Sequence, residues 1–376
     1  MGGRDAEWQM LRDTYEDYGI ALALGAGVSK GAGTPDWVEL LTRIEGMCRG
    51  ADETTGLVRW LLREGYSLPY VASALHETCT ATGAGADFAE LVRAALYQDF
   101  PFYCGNLGRD FGPADHPAFV RWIEARNRTM CAVAALCAVK SEKPRTFRRN
   151  PYVVAIVDFN VDAILRKFVQ AKYGTRLLRT IERASKDLRL KRIPLYKMHG
   201  LLRFEAERKQ QVAKEAADKL VFTEGEYFDR FNSPTSLFNY TVLSLLRERA
   251  FLFVGLSMQD DNLRRLLHYS ISERMQALAE EAAESSHADR SRDRSDAGTD
   301  SDDAAHPEIA NAAMRHFAIL RTERTPGVDA ARESTLRKLG VRVLWIDDYD
   351  EIPFQLKRMY ERGSGRWEDV YGGVAQ

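Results

Sequence analysis

Short runs of apolar residues recur along the chain, and polar residues do not alternate with them. Strands covered on both faces of a parallel sheet show this pattern, so we predict buried strands. The predicted strands are Ile20–Leu24, Tyr152–Val157, Leu195–Met198, Leu220–Phe222, Phe251–Val254, Phe317–Leu320 and Val341–Ile346. Segments of helical period separate several of them, including Asp162–Lys172, Ser236–Glu248 and Asp261–Ala277. This alternation predicts an α/β fold with a doubly wound, mainly parallel sheet.

Two stretches break the alternation. Between residues 38 and 145, apolar residues recur every three or four positions without a strand pattern, which predicts a large helical insertion. Between Leu278 and Ile309 there is no aromatic residue and no aliphatic residue larger than Ala. Such a segment buries too little apolar surface to offset its ordering entropy, so we expect a mobile polar insert over 283–306. Residues 1–37 and 146–376 then form the domain that contains the sheet.

The composition is that of an ordinary globular protein: 376 residues, 45% hydrophobic and 28% charged. It excludes a fully disordered chain and a collagen-like fibre. The 53 basic and 54 acidic residues nearly cancel, so overall charge indicates neither a nucleic-acid partner nor an anionic membrane. A basic stretch over 179–192 is interrupted by Glu182 and Asp187 and lacks interleaved aromatic residues. We interpret it as a solvated face and do not expect direct nucleic-acid binding.

Five cysteines occur, an odd number, and none is arranged as CxxC. We therefore expect neither a disulfide framework nor a zinc site, and we infer a reducing compartment. The first residues lack the apolar core of a signal peptide, and the longest nearly apolar run, Met130–Val139, is too short to span a bilayer. These features predict a cytoplasmic protein without membrane contact.

The first predicted strand runs directly into a glycine-rich turn that contains Gly25, Gly27 and Gly31. Glycines at the start of a helix let backbone N–H groups approach a pyrophosphate. The strict dinucleotide fingerprint needs a third glycine where Lys30 stands, and no acidic residue ends a suitable second strand. A hydride-transferring dehydrogenase is therefore disfavoured. Taken alone, the turn is equally explained as an ordinary strand–helix connection.

Three further predicted strands end in polar or small residues. Asp158, Asn160 and Asp162 follow the second strand, His199 precedes Gly200, and a Gly-x-Ser sequence with Asp260 follows Val254. Each feature alone could be a helix cap or a core histidine. Because the carboxyl ends of parallel strands meet at one edge, their conjunction predicts a nucleotide site.

The ordered set of motifs resembles the sirtuin superfamily, and more closely its bacterial sirtuin-like branch associated with antiphage defence. The motifs are Gly25-Ala-Gly-Val-Ser29, Gly33-Thr-Pro35 with Trp37, Asn160-Val-Asp162, Lys197-Met-His-Gly200, Phe222-Thr-Glu-Gly-Glu-Tyr227 and Gly255-Leu-Ser257 with Asp260. The resemblance implies a Rossmann-like NAD-binding domain with Asn160 and His199 as the catalytic pair. Contacts to NAD are expected from Gly25, Ala26, Gly27, Ser29, Thr34, Pro35, Trp37, Asp162, Gly255 and Ser257. Asp162 is expected on the nicotinamide side.

The chain also departs from the sirtuin deacylases. Their four-cysteine zinc ribbon has no counterpart, Trp37 stands where many have Phe-Arg, and Asp158 occupies a position more often held by Thr or Ser. The resemblance therefore favours an NAD glycohydrolase that depletes NAD during phage infection, without zinc. The alternatives are an NAD-dependent protein deacylase or ADP-ribosyltransferase, and a non-catalytic NAD- or ADP-ribose-sensing subunit. Because NAD loss harms a healthy cell, we expect control by homo-oligomer formation or by a partner such as a translocase ATPase.

Overall fold

The computed structural model describes residues 2–49, 56–83, 87–139, 152–181, 192–205, 220–231, 236–290 and 302–361. Its centre is a sheet of seven parallel strands in the order β3-β4-β2-β1-β5-β6-β7. The strands are β1 (Ile20–Leu24), β2 (Val153–Asp158), β3 (Leu178–Ile181), β4 (Ile193–Lys197), β5 (Ala250–Val254), β6 (His316–Arg321) and β7 (Val341–Ile346). The predicted Rossmann-like α/β fold with a parallel sheet is confirmed.

Helices cover both faces of the sheet. They are α1 (Gly2–Asp17), α2 (Ala26–Ser29), α3 (Trp37–Arg49), α4 (Leu57–Arg63), α5 (Leu68–Ala81), α6 (Phe88–Leu96), α7 (Cys104–Leu107), α8 (His116–Arg126), α9 (Arg128–Ala138), α10 (Ile164–Tyr173), α11 (Glu224–Phe231), α12 (Leu237–Glu248), α13 (Asp261–Arg290), α14 (Asp302–Ala313), α15 (Pro326–Arg337) and α16 (Glu351–Glu361). Side chains of β1 alternate between the two layers, with Leu22 in one core and Ala23 in the other. Burial on both faces explains why the strands read as continuous apolar runs.

The chain leaves neighbouring strands β1 and β5 towards opposite faces. Val28 of α2, after β1, packs in the first core, whereas Leu263 of α13, after β5, packs in the second. In open α/β sheets a crevice opens at such a reversal, outside the carboxyl ends of the strands. The topology therefore locates the edge at which a ligand is expected.

Helices α3–α9 lie between β1 and β2 in the chain, as the helical pattern over 38–145 predicted. They pack on one face of the sheet and share a continuous core with it, in which Leu41 and Phe119 join Leu22 and Leu24. The Asn127 side chain, between α8 and α9, donates to the carbonyl oxygen of Val28 at 2.8 Å. The helical segment is thus fastened to the turn after β1. Its status as a separate unit, and the proposed domain boundaries, stay predictions.

Two strand assignments differ from the sequence prediction. Residues 220–222 form no strand, although Val221 N–H donates to the carbonyl oxygen of His199 at 3.0 Å. Both edges of β4 are already occupied, by β2 and β3, so no further strand can pair there. The edge strand β3 was missed because its residues are only half-buried and include Arg179 and Thr180. Of the basic stretch over 179–192, residues 182–191 lie outside the described residues.

The polar segment over 283–306 is partly helical. Helix α13 continues to Arg290, and α14 begins at Asp302. Residues 291–301 lie outside the described residues, and the predicted mobility of the segment stays a prediction. Within the ranges described above, no helix is both long enough and apolar enough to cross a membrane.

One cysteine pair contradicts the expectation of no disulfides. Cys48 on α3 and Cys79 on α5 are bonded, with their Cα atoms 5.2 Å apart. Packing of α3 against α5 brings these two residues together across 31 positions of sequence, a proximity that motif spacing does not encode. Cys104, Cys131 and Cys137 are free thiols.

Candidate functional site

The turns after β1 and β5 are packed directly against each other. Gly27 N–H donates to the carbonyl oxygen of Gly255 at 3.1 Å. Gly255 has φ +69°, and a Cβ atom there would lie 2.7 Å from the backbone nitrogen of Val28. Likewise, a Cβ on Gly27 would lie 2.8 Å from Cα of Gly255. The absence of side chains at Gly27 and Gly255 therefore lets the backbones of the two turns approach each other closely, while Gly27 itself remains exposed.

A crevice lies beside these turns, at the carboxyl ends of β1 and β2. Its space is about 410 Å³, the open mouth included. The lining residues are Ala26, Thr34, Pro35, Asp36, Trp37, Leu40, Leu96, Phe159, Asn160, Val161, Asp162 and Phe222. Trp37 and Phe222 are stacked, with ring centroids 4.8 Å apart. An apolar, aromatic wall with a few polar groups is typical of a site for a flat organic ring.

Asn160, which lines the crevice, is held by two hydrogen bonds. Its side-chain Nδ2 donates to the carbonyl oxygen of Gly25 at 2.9 Å, and its backbone N–H donates to Oδ1 of Asp158 at 3.0 Å. The first bond joins the loop after β2 to the glycine-rich turn after β1. The side-chain amide is thereby oriented before any ligand binds.

A buried ion pair fixes the loop that carries Asn160. Lys197 Nζ donates to Oδ2 of Asp158 at 2.8 Å and to the carbonyl oxygen of Asp162 at 2.7 Å. Both side chains of the pair are almost fully buried. Burial raises the pKa of Asp158, and the ammonium group of Lys197 acts in the opposite direction. The lysine therefore ties the β2 loop to the strand that ends beside His199.

Asp162 combines a structural contact with a place on the crevice wall. Its Oδ1 accepts a hydrogen bond from Ile164 N–H at the start of α10, at 2.9 Å. The next residue, Ala163, donates its N–H to the hydroxyl of Tyr97 at 2.8 Å, and that hydroxyl donates to the carbonyl oxygen of Leu202 at 2.7 Å. Tyr97 directly follows α6, so the helical segment supports the site loop from behind.

His199 is buried directly behind two crevice-lining rings. Its ring centroid lies 5.8 Å from that of Phe159 and 6.3 Å from that of Trp37, both in edge-on arrangements. Burial lowers the pKa of His199 from 6.5 to about 4, against the opposing charge of Asp260. The imidazole is therefore neutral near pH 7 and able to accept a proton. Its Nε2 lies 3.0 Å from the hydroxyl of Tyr227.

The structure brings some of the expected site residues together. Ala26, Thr34, Pro35, Trp37, Asn160 and Asp162 line the crevice; Gly25, Gly27 and Gly255 form the packed turns beside it; and His199 lies behind the wall. Two of the expected residues, both serines, lie away from the crevice. Ser29 is buried in α2, Ser257 is exposed, and neither lines the crevice. That Asn160 and His199 act on one sugar ring, and that these residues hold NAD, stay predictions.

Several residues of the site were given no role from the sequence. Lys197, Tyr227 and Asp260 stand inside the quoted motifs, but their contacts could not be read from spacing. Tyr97 carried no signal, because an aromatic residue at helical period resembles an ordinary core residue. Among the described residues, no group of three or more His, Cys, Asp and Glu side chains could hold a metal ion. The expectation that zinc is absent stays a prediction.

Comparison with known families supports the resemblance in part. Residues 154–298 match the family model of the SIR2-like domain, which supports a place in the sirtuin-like superfamily. The matched region contains Asn160, His199 and Gly255, whereas the glycine-rich turn after β1 lies outside it. SIR2-like domains bind NAD, and members of the family are NAD-dependent enzymes. No curated protein matches the chain.

Proposed function

We propose that the protein is an NAD glycohydrolase, which releases nicotinamide and ADP-ribose from NAD, and that it depletes NAD as an effector of antiphage defence. The observation that carries the activity is a preoriented amide, Asn160, on an aromatic-walled crevice with a neutral buried imidazole, His199, directly behind that wall. The antiphage role rests on the resemblance of the motifs to the bacterial sirtuin-like branch.

The residues of the site meet the chemical requirements of this reaction. Nicotinamide leaves the ribose as a neutral ring, so its departure requires no general acid. The remaining sugar is oxocarbenium-like, and stabilising it requires oriented dipoles. Asn160 would position the attacking water or the ribose hydroxyls. His199 would accept the proton that a ribose hydroxyl or that water loses, once the ring of Phe159 or Trp37 moves aside, and this transfer balances the addition of water to the ribose carbon.

The rest of the crevice suits the other parts of NAD. The stacked rings of Trp37 and Phe222 offer an apolar wall to the nicotinamide ring, with Asp162 beside them. The exposed first turn of α2 at Gly27 would lie against the pyrophosphate, with no side chain between them, and Gly255 with Ser257 would face the adenosine half. The crevice is too small to enclose the whole dinucleotide, so most of NAD would extend along the sheet edge.

The test is an NAD assay with the purified full-length chain, with products separated by chromatography. Wild-type protein should convert NAD to nicotinamide and ADP-ribose in equal amounts. Asn160→Ala and His199→Gln should each lower kcat by about 10²–10³-fold, the usual effect of losing one positioned catalytic group. His268→Gln, at an exposed position on α13, is the matched control and should retain full activity.

Other product patterns would contradict the proposal. Nicotinamide release that requires an acylated peptide, or transfer of ADP-ribose to a protein, would favour the deacylase or transferase alternative. NAD binding without turnover, over a range of protein concentrations and with the partner proteins encoded beside it, would favour a sensing subunit. Full activity in a folded Asn160→Ala variant would remove the assigned role of the amide.

A further inference from the structure

A hydrogen-bonded chain of three side chains begins at His199. The hydroxyl of Tyr227 lies 3.0 Å from Nε2 of His199 and donates to Oδ2 of Asp260 at 3.2 Å. The three residues come from different parts of the fold: the turn after β4, helix α11 and the turn before α13. Their convergence is therefore a product of the tertiary structure and lies outside the catalytic pair named above.

Backbone hydrogen bonds at helix ends hold the regions that carry Asp260 and Tyr227. Oδ1 of Asp260 accepts the N–H of Leu263 at 2.7 Å, so the carboxylate caps the first turn of α13 and presents its other oxygen to Tyr227. Tyr227 lies in the first turn of α11. The N–H groups of Phe222 and Thr223, which precede that helix, donate to the carboxylate of Glu226 at 2.8 and 2.7 Å. A capped helix end thus supports each partner of His199.

The direction of the hydrogen bonds matches a protonated His199. A carboxylate only accepts hydrogen bonds, so the single hydroxyl proton of Tyr227 is directed to Asp260. The tyrosine oxygen can then accept from an N–H at Nε2 of the imidazole. A hydrogen bond with the backbone of Phe159 also favours the charged ring. The surroundings therefore complement the cation that exists only after His199 has taken a proton.

Charges around His199 act in both directions. Asp260 favours the protonated ring, whereas Arg230 on α11 and Lys197 on β4 disfavour it, and Tyr227 stands between the ring and Asp260. Desolvation is the largest effect and keeps the resting ring neutral. Asp260 thus offsets part of the cost of burying a positive charge on His199, and it acts through the hydroxyl group of Tyr227.

We infer that Tyr227 and Asp260 are positioning residues of the reaction, which hold the His199 ring and stabilise its protonated form through two successive hydrogen bonds. This inference rests on the proposed NAD glycohydrolase activity. The proton enters His199 from the ribose hydroxyl or the water, and it returns to solvent after ADP-ribose leaves. No proton needs to move onto Tyr227 or Asp260.

Two conservative variants remove the contacts with little change of shape. Tyr227→Phe deletes one hydroxyl group, and Asp260→Asn removes the charge while an asparagine can still cap α13. A hydrogen bond to a charged group has the strength to change kcat by about 10- to 100-fold, and we expect a loss of that size with KM changed less than about threefold. In Asp260→Asn the acidic limb of the kcat/KM profile should move to lower pH. Tyr240→Phe, an exposed tyrosine on α12, is the control.

A second measurement does not depend on turnover. With ¹⁵N-labelled histidine, and His199→Gln to assign the resonance, the Nε2 shift of His199 at pH 7 should change in both variants and stay constant in Tyr240→Phe. If wild-type protein binds NAD but never cleaves it, the proposed function is wrong. The ¹⁵N measurement still tests the contacts among His199, Tyr227 and Asp260 in that case. An unchanged Nε2 shift, or kcat within about threefold of wild type in either folded variant, would overturn the inference.

Discussion

The buried pair of Lys197 and Asp158 offers the sharpest test of how the site is held together. In Lys197→Met the ammonium group disappears from between Oδ2 of Asp158 and the carbonyl oxygen of Asp162, 2.8 and 2.7 Å away. A side chain of similar length fills the space, but Asp158, with 2% of its surface exposed, loses its counter-charge. Breaking a buried pair on one side costs about 3–5 kcal/mol in free energy of unfolding.

The double variant Lys197→Met with Asp158→Asn separates the charge from the packing. The asparagine introduced by Asp158→Asn would keep a side-chain oxygen for the Asn160 N–H, which now lies 3.0 Å from Oδ1 of Asp158. With neither charge buried, we expect a loss at least about 1.5 kcal/mol smaller than the sum of the two single losses. Lys30→Met removes the exposed pair with Asp36, whose side chains are 64% and 48% exposed, and should cost less than about 1 kcal/mol.

The penalty in Lys197→Met should also depend on pH. Burial already raises the pKa of Asp158, and losing Lys197 removes an influence that lowers it. In the folded variant the pKa of Asp158 then lies further above the ordinary 3.8. The penalty is full above this folded-state pKa, and it fades as the pH falls through it towards 3.8. Urea unfolding, followed by circular dichroism at pH 7 and pH 5, measures this. A loss below about 1 kcal/mol at pH 7, or strict additivity in the double variant, would refute the reasoning.

Three further outcomes follow from the structure. Replacing Cys48 and Cys79 by serine should lower the free energy of unfolding by about 3–4 kcal/mol, because the bond closes a loop of 31 residues. Gly255→Ala should cost about 2 kcal/mol or more and weaken NAD binding, since φ is +69° and the methyl group would meet the turn after β1. His316, buried with Nδ1 accepting the Phe251 N–H, has its pKa lowered by burial to about 3, so stability should fall as the pH drops below 6.5, by about 3 kcal/mol at pH 4.

Each of these outcomes has a direct measurement. Thiol labelling of unfolded, unreduced protein should modify three cysteines, and modification of all five would show that the bond had not formed. Calorimetric titration with NAD measures the Gly255→Ala effect, with Gly225→Ala as control, because a Cβ at Gly225 meets no atom within 4 Å. Urea midpoints between pH 7 and pH 4 test His316, and an equally steep fall in a folded His316→Gln variant would assign the acid sensitivity elsewhere.

From the sequence alone, the site could be predicted only as a group of residues at the carboxyl ends of strands. Parallel strands bring their carboxyl ends to one edge of the sheet. Asn160 on the β2 loop and His199 after β4 therefore had to lie at that same edge. The spacing of these residues along the sequence does not predict that Asn160 lines the crevice and that His199 lies behind Phe159 and Trp37. It also could not tell that Ser29 would be buried, because the turn geometry decides which side of α2 faces the core.

The amino-acid sequence by itself determined the α/β class, six of the seven strands and the helical segment between β1 and β2. These features follow from local periodicity, since a strand buried on both faces must be apolar throughout and a helix must repeat every three to four residues. Tertiary structure alone decided the edge strand β3, the Cys48–Cys79 bond and the contacts of Lys197 and Tyr227. Such contacts join residues about 30 or more positions apart, or lie on a solvent-facing edge. Their formation depends on which elements pack together, and no local pattern carries that information.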